Sequence, residues 1–334
     1  MFNNKTILIT GGTGSFGRAC TKRILDEYKP RSLRIFSRGE MKQWDMLNQF
    51  SSHKNANKLR FFIGDVRDKE RLRRAMEGCD FVIHAAALKQ ITVAEYNPME
   101  CIKTNIIGAQ NLIESALDLN INKIVALSTD KAVAPVNLYG ATKLCAEKLF
   151  IAANYIKGEK KTIFSIVRYG NVMGSRGSVI PLFLKKKELG EKLPITHPEM
   201  TRFNFLLDEA VDLVFYALKN SLGGEIYVPK MPSYKILDLA KAIDPKGKFI
   251  TVGIRPGEKL HEEMVSTNET PNTVEFKKYY AILPQSQFLT WSRRRFFNIT
   301  KARKVKGNFR YTSDNNKKFL TITEIQNLIK HQVD

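Results

Sequence analysis

The chain has 334 residues and a formal net charge of +21, with 43% apolar and 26% charged residues. That is length for a large domain with an attached lobe and apolar content for a sizeable core, and no run approaches the ~18 apolar residues of a membrane span. The start of the chain enters an apolar strand pattern without a basic leader, which predicts a cytoplasmic protein; four scattered cysteines and five histidines without ligand spacing predict buried thiols and no metal.

Through residue 170 short β-branched runs alternate with helical patterns, which predicts an α/β fold: a Rossmann-type doubly wound parallel sheet. Strand Thr6 to Thr10 runs into Gly11, Gly12, Thr13, Gly14, Ser15, Phe16 and Gly17 and then into a helix from Ser15 to Glu27. Glycines 11, 14 and 17 at that turn let the backbone approach a pyrophosphate, whose charge sits on the free N–H groups of the helix start. The second strand, Leu33 to Ser37, ends without an acidic residue to hold a free ribose 2′-hydroxyl. Ser37, Arg38 and Lys42 suit a 2′-phosphate instead, so the expected cofactor is NADP.

A helix from Met41 to Ser51 and a strand from Leu59 to Ile63 lead to Asp65 and Val66, expected beside the adenine. The helix Lys69 to Met76 and the strand Phe81 to His84 follow, and Ala85, Ala86 and Ala87 leave room for the cofactor backbone. A helix from Cys101 to Asp118 precedes the strand Lys123 to Ser128, which ends in Thr129, Asp130 and Lys131. The next helix, Leu138 to Tyr155, carries Tyr139 and Lys143 four apart on one face, and Thr162 to Arg168 is the sixth strand. A phenol acts as a base near neutral pH only where positive charge favours phenolate, which Lys143 and an oxidised nicotinamide would supply.

Beyond Tyr169 the alternation stops. Gly170 to Gly177 reads as a loop, Val179 to Lys187 and Glu209 to Asn220 as helices, Glu225 to Val228 as a strand, Ile236 to Ile243 as a helix and Phe249 to Ile254 as a strand. Past Pro284 little periodicity remains until Thr323 to Ile329. The expected division is a cofactor domain at 1–170 with 205–230 packing back on it, a smaller substrate-binding lobe from 171–204 and 231–284, and a basic extension at 285–334. From Lys277 onward thirteen Lys or Arg face three Asp or Glu. Such an excess attracts any anion without selecting one. A solvated extension is expected and nucleic acid is not; the alternative contact point is Arg293, Arg294 and Arg295 beside Trp291, Phe296 and Phe297.

Several segments together resemble the extended short-chain dehydrogenases/reductases, and within them the inverting UDP-N-acetylglucosamine 4,6-dehydratases of pseudaminic acid biosynthesis. They are Thr10 to Gly17, Phe61 to Arg67 (FFIGDVR), His84 to Lys89 (HAAALK), Leu127 to Ala132 (LSTDKA), Asn137 to Lys143 (NLYGATK), Arg168 to Ser178 (RYGNVMGSRGS), Met200 to Phe203 (MTRF) and Gly253 to Glu262 (GIRPGEKLHE). The resemblance implies a lyase that holds NADP tightly and regenerates it each turnover, for a bacterial surface or flagellar glycan. Tyr139 would take the O4 proton, Lys131 the C5 proton, and Asp130 would act as the acid at O6. It implies contacts to the nucleotide sugar from Lys89, Asn171, Val179, Thr201, Arg202, Arg255 and Glu258. It also implies a homo-oligomer, with two copies pairing through the helices Cys101 to Asp118 and Leu138 to Tyr155. The chain departs from the family at Gly39, Gln90, Ala134 and Asn204, where Asp, His, Asn and Trp are common. A C4 epimerase, a retaining dehydratase and a non-catalytic NADP sensor are the rival readings.

Overall fold

The computed structural model describes residues 1–173, 179–285 and 291–333, so the end of the Arg168 to Ser178 segment lies outside the described residues. The first half runs β1 (Thr6–Thr10), α1 (Ser15–Glu27), β2 (Ser32–Ser37), α2 (Glu40–Phe50), β3 (Leu59–Ile63), α3 (Lys69–Met76), β4 (Phe81–His84), α4 (Ile91–Tyr96), α5 (Pro98–Ile102), α6 (Gly108–Asp118), β5 (Lys123–Thr129), α7 (Leu138–Ile156) and β6 (Ile163–Tyr169). β1 is buried along its whole length, as a strand covered by helices on both faces must be. Local signals fix the helix starts: Asp68 accepts from Arg71 N at 2.9 Å ahead of α3, and Asn137 accepts from Gly140 N at 2.7 Å ahead of α7.

The strands pair in parallel in the order β3-β2-β1-β4-β5-β6. Strand order reverses between β1 and β4, and the loops leaving those two strands diverge into a crevice at their carboxyl ends. That crevice holds the glycine loop and Ala85.

The second half contains α8 (Val179–Glu188), β7 (Leu193–Ile195), β8 (Thr201–Phe203), α9 (Leu207–Asn220), β9 (Ile226–Pro229), β10 (Ser233–Lys235), α10 (Ile236–Ile243), β11 (Phe249–Thr251), β12 (Glu263–Val265), β13 (Thr273–Glu275), β14 (Tyr279–Ile282), α11 (Arg293–Thr300), β15 (Arg303–Lys304), β16 (Tyr311–Thr312) and α12 (Ile322–Val333). β9 joins β6 in parallel, and β14, β13 and β15 follow antiparallel to give ten strands. The main sheet therefore takes strands from the stretch expected in the lobe and the extension. A separate apolar core, including Ile180, Phe183, Leu193, Tyr234, Leu239 and Ile325, knits α8, β7, β10, α10 and α12 into the lobe.

Three expectations change. The helix Cys101 to Asp118 is interrupted by a π turn at Lys103–Ile107. The strand expected to reach Ile254 ends at Thr251. The basic extension is structured: Phe296 is fully buried in the main core, Trp291 stacks on it at 5.1 Å, and Arg293 donates to Asn272 Oδ1 at 2.7 Å and Pro284 O at 3.0 Å. In the cluster named as the alternative contact point, Trp291, Arg293 and Phe296 supply packing, with Arg294 exposed and the Arg295 side chain outside the described residues. Among the described residues no helix is long and apolar enough to cross a membrane, and no group of three or more His, Cys, Asp or Glu is placed to hold a metal.

Candidate active site

A cavity of about 690 Å³ lies over the crevice, lined by Gly11, Thr13, Gly14, Ser15, Phe16 and Gly17. The glycines answer the test of whether a dinucleotide fits. A Cβ on Gly11, whose φ is +64°, would sit 2.9 Å from the Ala85 carbonyl, and one on Gly17 would sit 2.2 Å from Gly12 O. Those two are required by the protein's own packing. A Cβ on Gly14 would meet only Gly11 O, at 3.3 Å, so the space it leaves is on the ligand side. Gly14 is also the N-cap of α1 and offers no side-chain cap, which leaves first-turn N–H groups free for a pyrophosphate.

Ser37, Arg38, Lys42, Asp65 and Val66 line the β2–β3 side of this cavity, and Ala85 and Ala86 the β4 side. Gln43 Nε2 donates to Ser37 O, Ser37 Oγ and Phe62 O at 3.1, 3.0 and 2.9 Å, so the Ser37 hydroxyl proton is left to donate elsewhere. Arg38 is exposed, with Nη1 3.7 Å from Asp65 Oδ2. Burial favours the neutral form of Asp65, but hydrogen bonds and charge from Arg67 and the charge of Arg38 hold its carboxyl below the usual range. Its negative charge is thereby tied to the protein rather than presented to a ribose.

On the β5 side the same cavity is lined by Thr129, Lys131, Tyr139 and Lys143. Burial pushes the Tyr139 hydroxyl up to about 12; the strongest opposing influence is the charge of Lys131, and a hydrogen bond between Thr129 and the phenol opposes it more weakly. The cation acting most on the phenol is thus Lys131, where the sequence had pointed to Lys143. Lys143 Nζ donates to Leu127 O at 2.7 Å, and burial lowers it to about 8 although Glu147 opposes the shift. Lys131 Nζ lies 3.1 Å from each oxygen of Asp130 and 3.3 Å from Asn171 Oδ1. Burial works against its charge, but Asp130, Glu262 and Tyr139 together raise its pKa.

A second cavity of about 690 Å³ opens toward the lobe, and Lys89, Lys131 and Asn171 line both, so the two meet at those side chains. Asp130, Val179, Arg202, Arg255 and Glu258 line the second cavity as well. Arg202 Nη1 donates to Thr201 O at 2.8 Å and Leu260 O at 3.1 Å, and Arg255 is exposed 3.8 Å from Glu258. Thr201 lines neither cavity. Strand alternation turns it away from Arg202's side, and its hydroxyl is shared with His261 Nδ1 at 2.8 Å and Ser313 Oγ at 2.7 Å.

Two further residues, Glu262 and Asn105, belong to the site although no sequence motif gives them a role. Glu262 is 3% exposed in the second cavity, and burial, with the nearby charge of Asp130, raises it to about 7. Asn105, in the π turn, accepts from Leu88 N and donates to Leu88 O, both at 2.9 Å, and donates to Thr142 Oγ1 at 3.0 Å. It fixes the loop carrying Lys89 to the helix carrying Tyr139. The π interruption is the one signal that marks it, and π turns recur at functional sites. Of the four departures, Gln90 and Asn204 line the second cavity, Gly39 lines the first, and Ala134 is an exposed loop residue at φ +40°, a conformation that Asn adopts more easily.

The sheet order, the glycine cradle and the Tyr139/Lys143 pair define a class: a Rossmann protein of the extended short-chain dehydrogenase/reductase type. Residues 7–284 match the family described as polysaccharide biosynthesis protein, and the chain belongs to that family. It is 53% identical over 334 residues to a Campylobacter jejuni subsp. jejuni serotype O:2 protein named UDP-N-acetylglucosamine 4,6-dehydratase (inverting), covering 99% of each chain. It is 42% identical over 336 residues to a Rickettsia massiliae protein named UDP-glucose 4-epimerase, covering 98% of this chain and 96% of that one. Among solved structures, Pen from Bacillus thuringiensis matches at a TM-score of 0.90 with 37% identity, over 100% of this chain and 99% of the other.

Proposed function

We propose that the chain dehydrates UDP-N-acetylglucosamine to a 4-keto-6-deoxy sugar with inversion at C5, using NADP, for surface glycan synthesis. One observation carries the reading: Lys131, paired with Asp130, stands where the two cavities meet, on the same cavity wall as Tyr139. An epimerase needs only the O4 chemistry, whereas an elimination needs a second acid–base pair at C5 and C6.

When bound, NADP would take a hydride from C4 and return it to C6. Gly11, Gly14 and Gly17 would cradle its pyrophosphate, and Ser37, Arg38 and Lys42 would hold the 2′-phosphate. Tyr139 accepts the O4 proton as the C4 alcohol becomes a ketone, and the ketone acidifies C5–H. Lys131, as the free amine, takes the C5 proton; the electrons of that bond form C5=C6, and the C6–O bond breaks. Asp130 supplies the proton with which the hydroxyl leaves as water, and a solvent-derived proton added to C5 on the face opposite Lys131, as the hydride reaches C6, closes C5=C6 with inversion. Lys89, Asn171, Val179, Arg202, Arg255 and Glu258 bind the nucleotide sugar, with the guanidinium groups suited to its diphosphate.

Pairing of two copies through the helical stretch 101–118 and α7 is supported by the exposed apolar side chains of Tyr96 at the end of α4, Met99 in α5, Ile107 in the π turn and Ile156 at the end of α7. Replacing Tyr139 by Phe is expected to lower kcat by about 10²- to 10⁴-fold while NADP binding is unchanged. Fluorescence titration with cofactor and turnover assayed on one preparation check this, and turnover near the parent rate would contradict it.

A further inference from the structure

We propose that Glu262 sets both the position and the charge of Lys131, and so the pH at which the C5 proton can be removed. The inference rests on the reading of Lys131 as the C5 base. Glu262 lies just before β12, distant in sequence from the Asp130–Lys131 turn and reached only through folding of the lobe. Its Oε2 accepts from Phe203 N at 2.8 Å, and its Oε1 accepts from Asn171 Nδ2 at 2.8 Å and lies 3.5 Å from Arg202 Nε. Both oxygens face donors, an arrangement that suits the ionised carboxylate. Burial and the charge of Asp130 pull the other way and raise it to about 7.

The consequence passes through Asn171. With its NH2 committed to Glu262, the Asn171 carbonyl oxygen is the end presented to Lys131 Nζ, at 3.3 Å. The reverse orientation would set NH2 against an ammonium group, donor on donor. Glu262 therefore holds the third contact of the ammonium, beyond its two to Asp130, and adds a negative charge that strengthens its hold on the proton. Removal of the C5 proton requires the free amine. The charged or titratable groups facing this pair from the surrounding elements are Asp130, Tyr139, Arg202, Lys89, Lys259 and Tyr234. All remain when Glu262 alone is changed, so a shift in the pH profile reports Glu262.

The test is the pH profile of kcat for the full-length enzyme with NADP and UDP-N-acetylglucosamine, read with C5 deuterium incorporation in deuterated water. Glu262→Gln removes the charge and keeps the shape, so Lys131 gives up its proton more easily; the acid limb is expected to move to lower pH by about one unit, with KM within about three-fold. Glu262→Asp keeps the charge and is expected to leave the limb near its original position. Should thermal melting show Glu262→Gln to be unfolded, Asn171→Ala cuts the same link from its other end and is expected to move the limb in the same direction. A folded Glu262→Gln or Asn171→Ala enzyme whose limb has not moved overturns the inference. Absence of C5 label in the parent enzyme overturns the dehydratase reading instead.

Discussion

Asn204 keeps a carbonyl oxygen buried without a partner on the wall of the second cavity. An unmade hydrogen bond of this kind costs about 1–3 kcal/mol, a debt that a bound donor group can settle. Asn204→Leu is therefore expected to raise stability by about 1 kcal/mol, seen in thermal melts, and to raise KM for the sugar nucleotide. A lower melting temperature with unchanged KM would contradict this. At this scale the sequence is legible where neighbours in the chain do the work. Tyr139 and Lys143 are one helical turn apart, and Gly11 to Gly17 are contiguous, so spacing alone brings each set together. Glu262 and Thr201 depend on how β8 and β12 pack, and no local period reports that. Hence the carboxylate beside Lys131 went unassigned, while the threonine expected in the cavity faces His261 and Ser313.

At the scale of elements, the place of Lys131 is set by a close approach of backbones. A Cβ on Gly140, in the first turn of α7, would fall 2.1 Å from Lys131 O. Gly140→Ala must push the Asp130–Ala132 turn off the helix, and it is expected to abolish C5 exchange while leaving NADP binding intact. Full exchange in that variant, measured by NMR of the product, would show the turn to be tolerant. The first-half elements were legible because each is a run of one period, 2 for strands and 3.6 for helices. α4 was missed because Ile91, Thr92 and Val93 are β-branched and Pro98 follows closely. The π turn is not legible in the sequence because an apolar stripe continues through it unchanged; only the folded backbone reveals it. The short strands β7, β8, β10, β12 and β16 carry too few residues to show alternation, and long-range pairing alone defines them.

For the whole molecule, the +21 charge suggested a solvated tail, yet Phe296 enters the main core and Ile325 the core of the lobe. Charge counts describe surfaces and miss the apolar residues interspersed among the lysines. Acid sensitivity is expected of the whole fold. His84 is fully buried against Thr10 Oγ1 at 2.8 Å, and burial, aided by Lys143, lowers it to about 3. Between pH 6.5 and about 3 the unfolded chain binds a proton at His84 that the native state does not, so stability falls as pH falls through that window. The loss reaches roughly 4 kcal/mol at its lower end, and His84→Gln is expected to flatten this part of a urea-unfolding series against pH; an unchanged slope would contradict it.

The central claim is that Lys131 and Tyr139 act on adjacent carbons of one sugar. Incubation with UDP-N-acetylglucosamine in deuterated water tests it most directly. The account predicts a 4-keto-6-deoxy product with deuterium at an inverted C5 and no net reduction of NADP. A product that keeps its C6 hydroxyl and carries no label at C5 would contradict it.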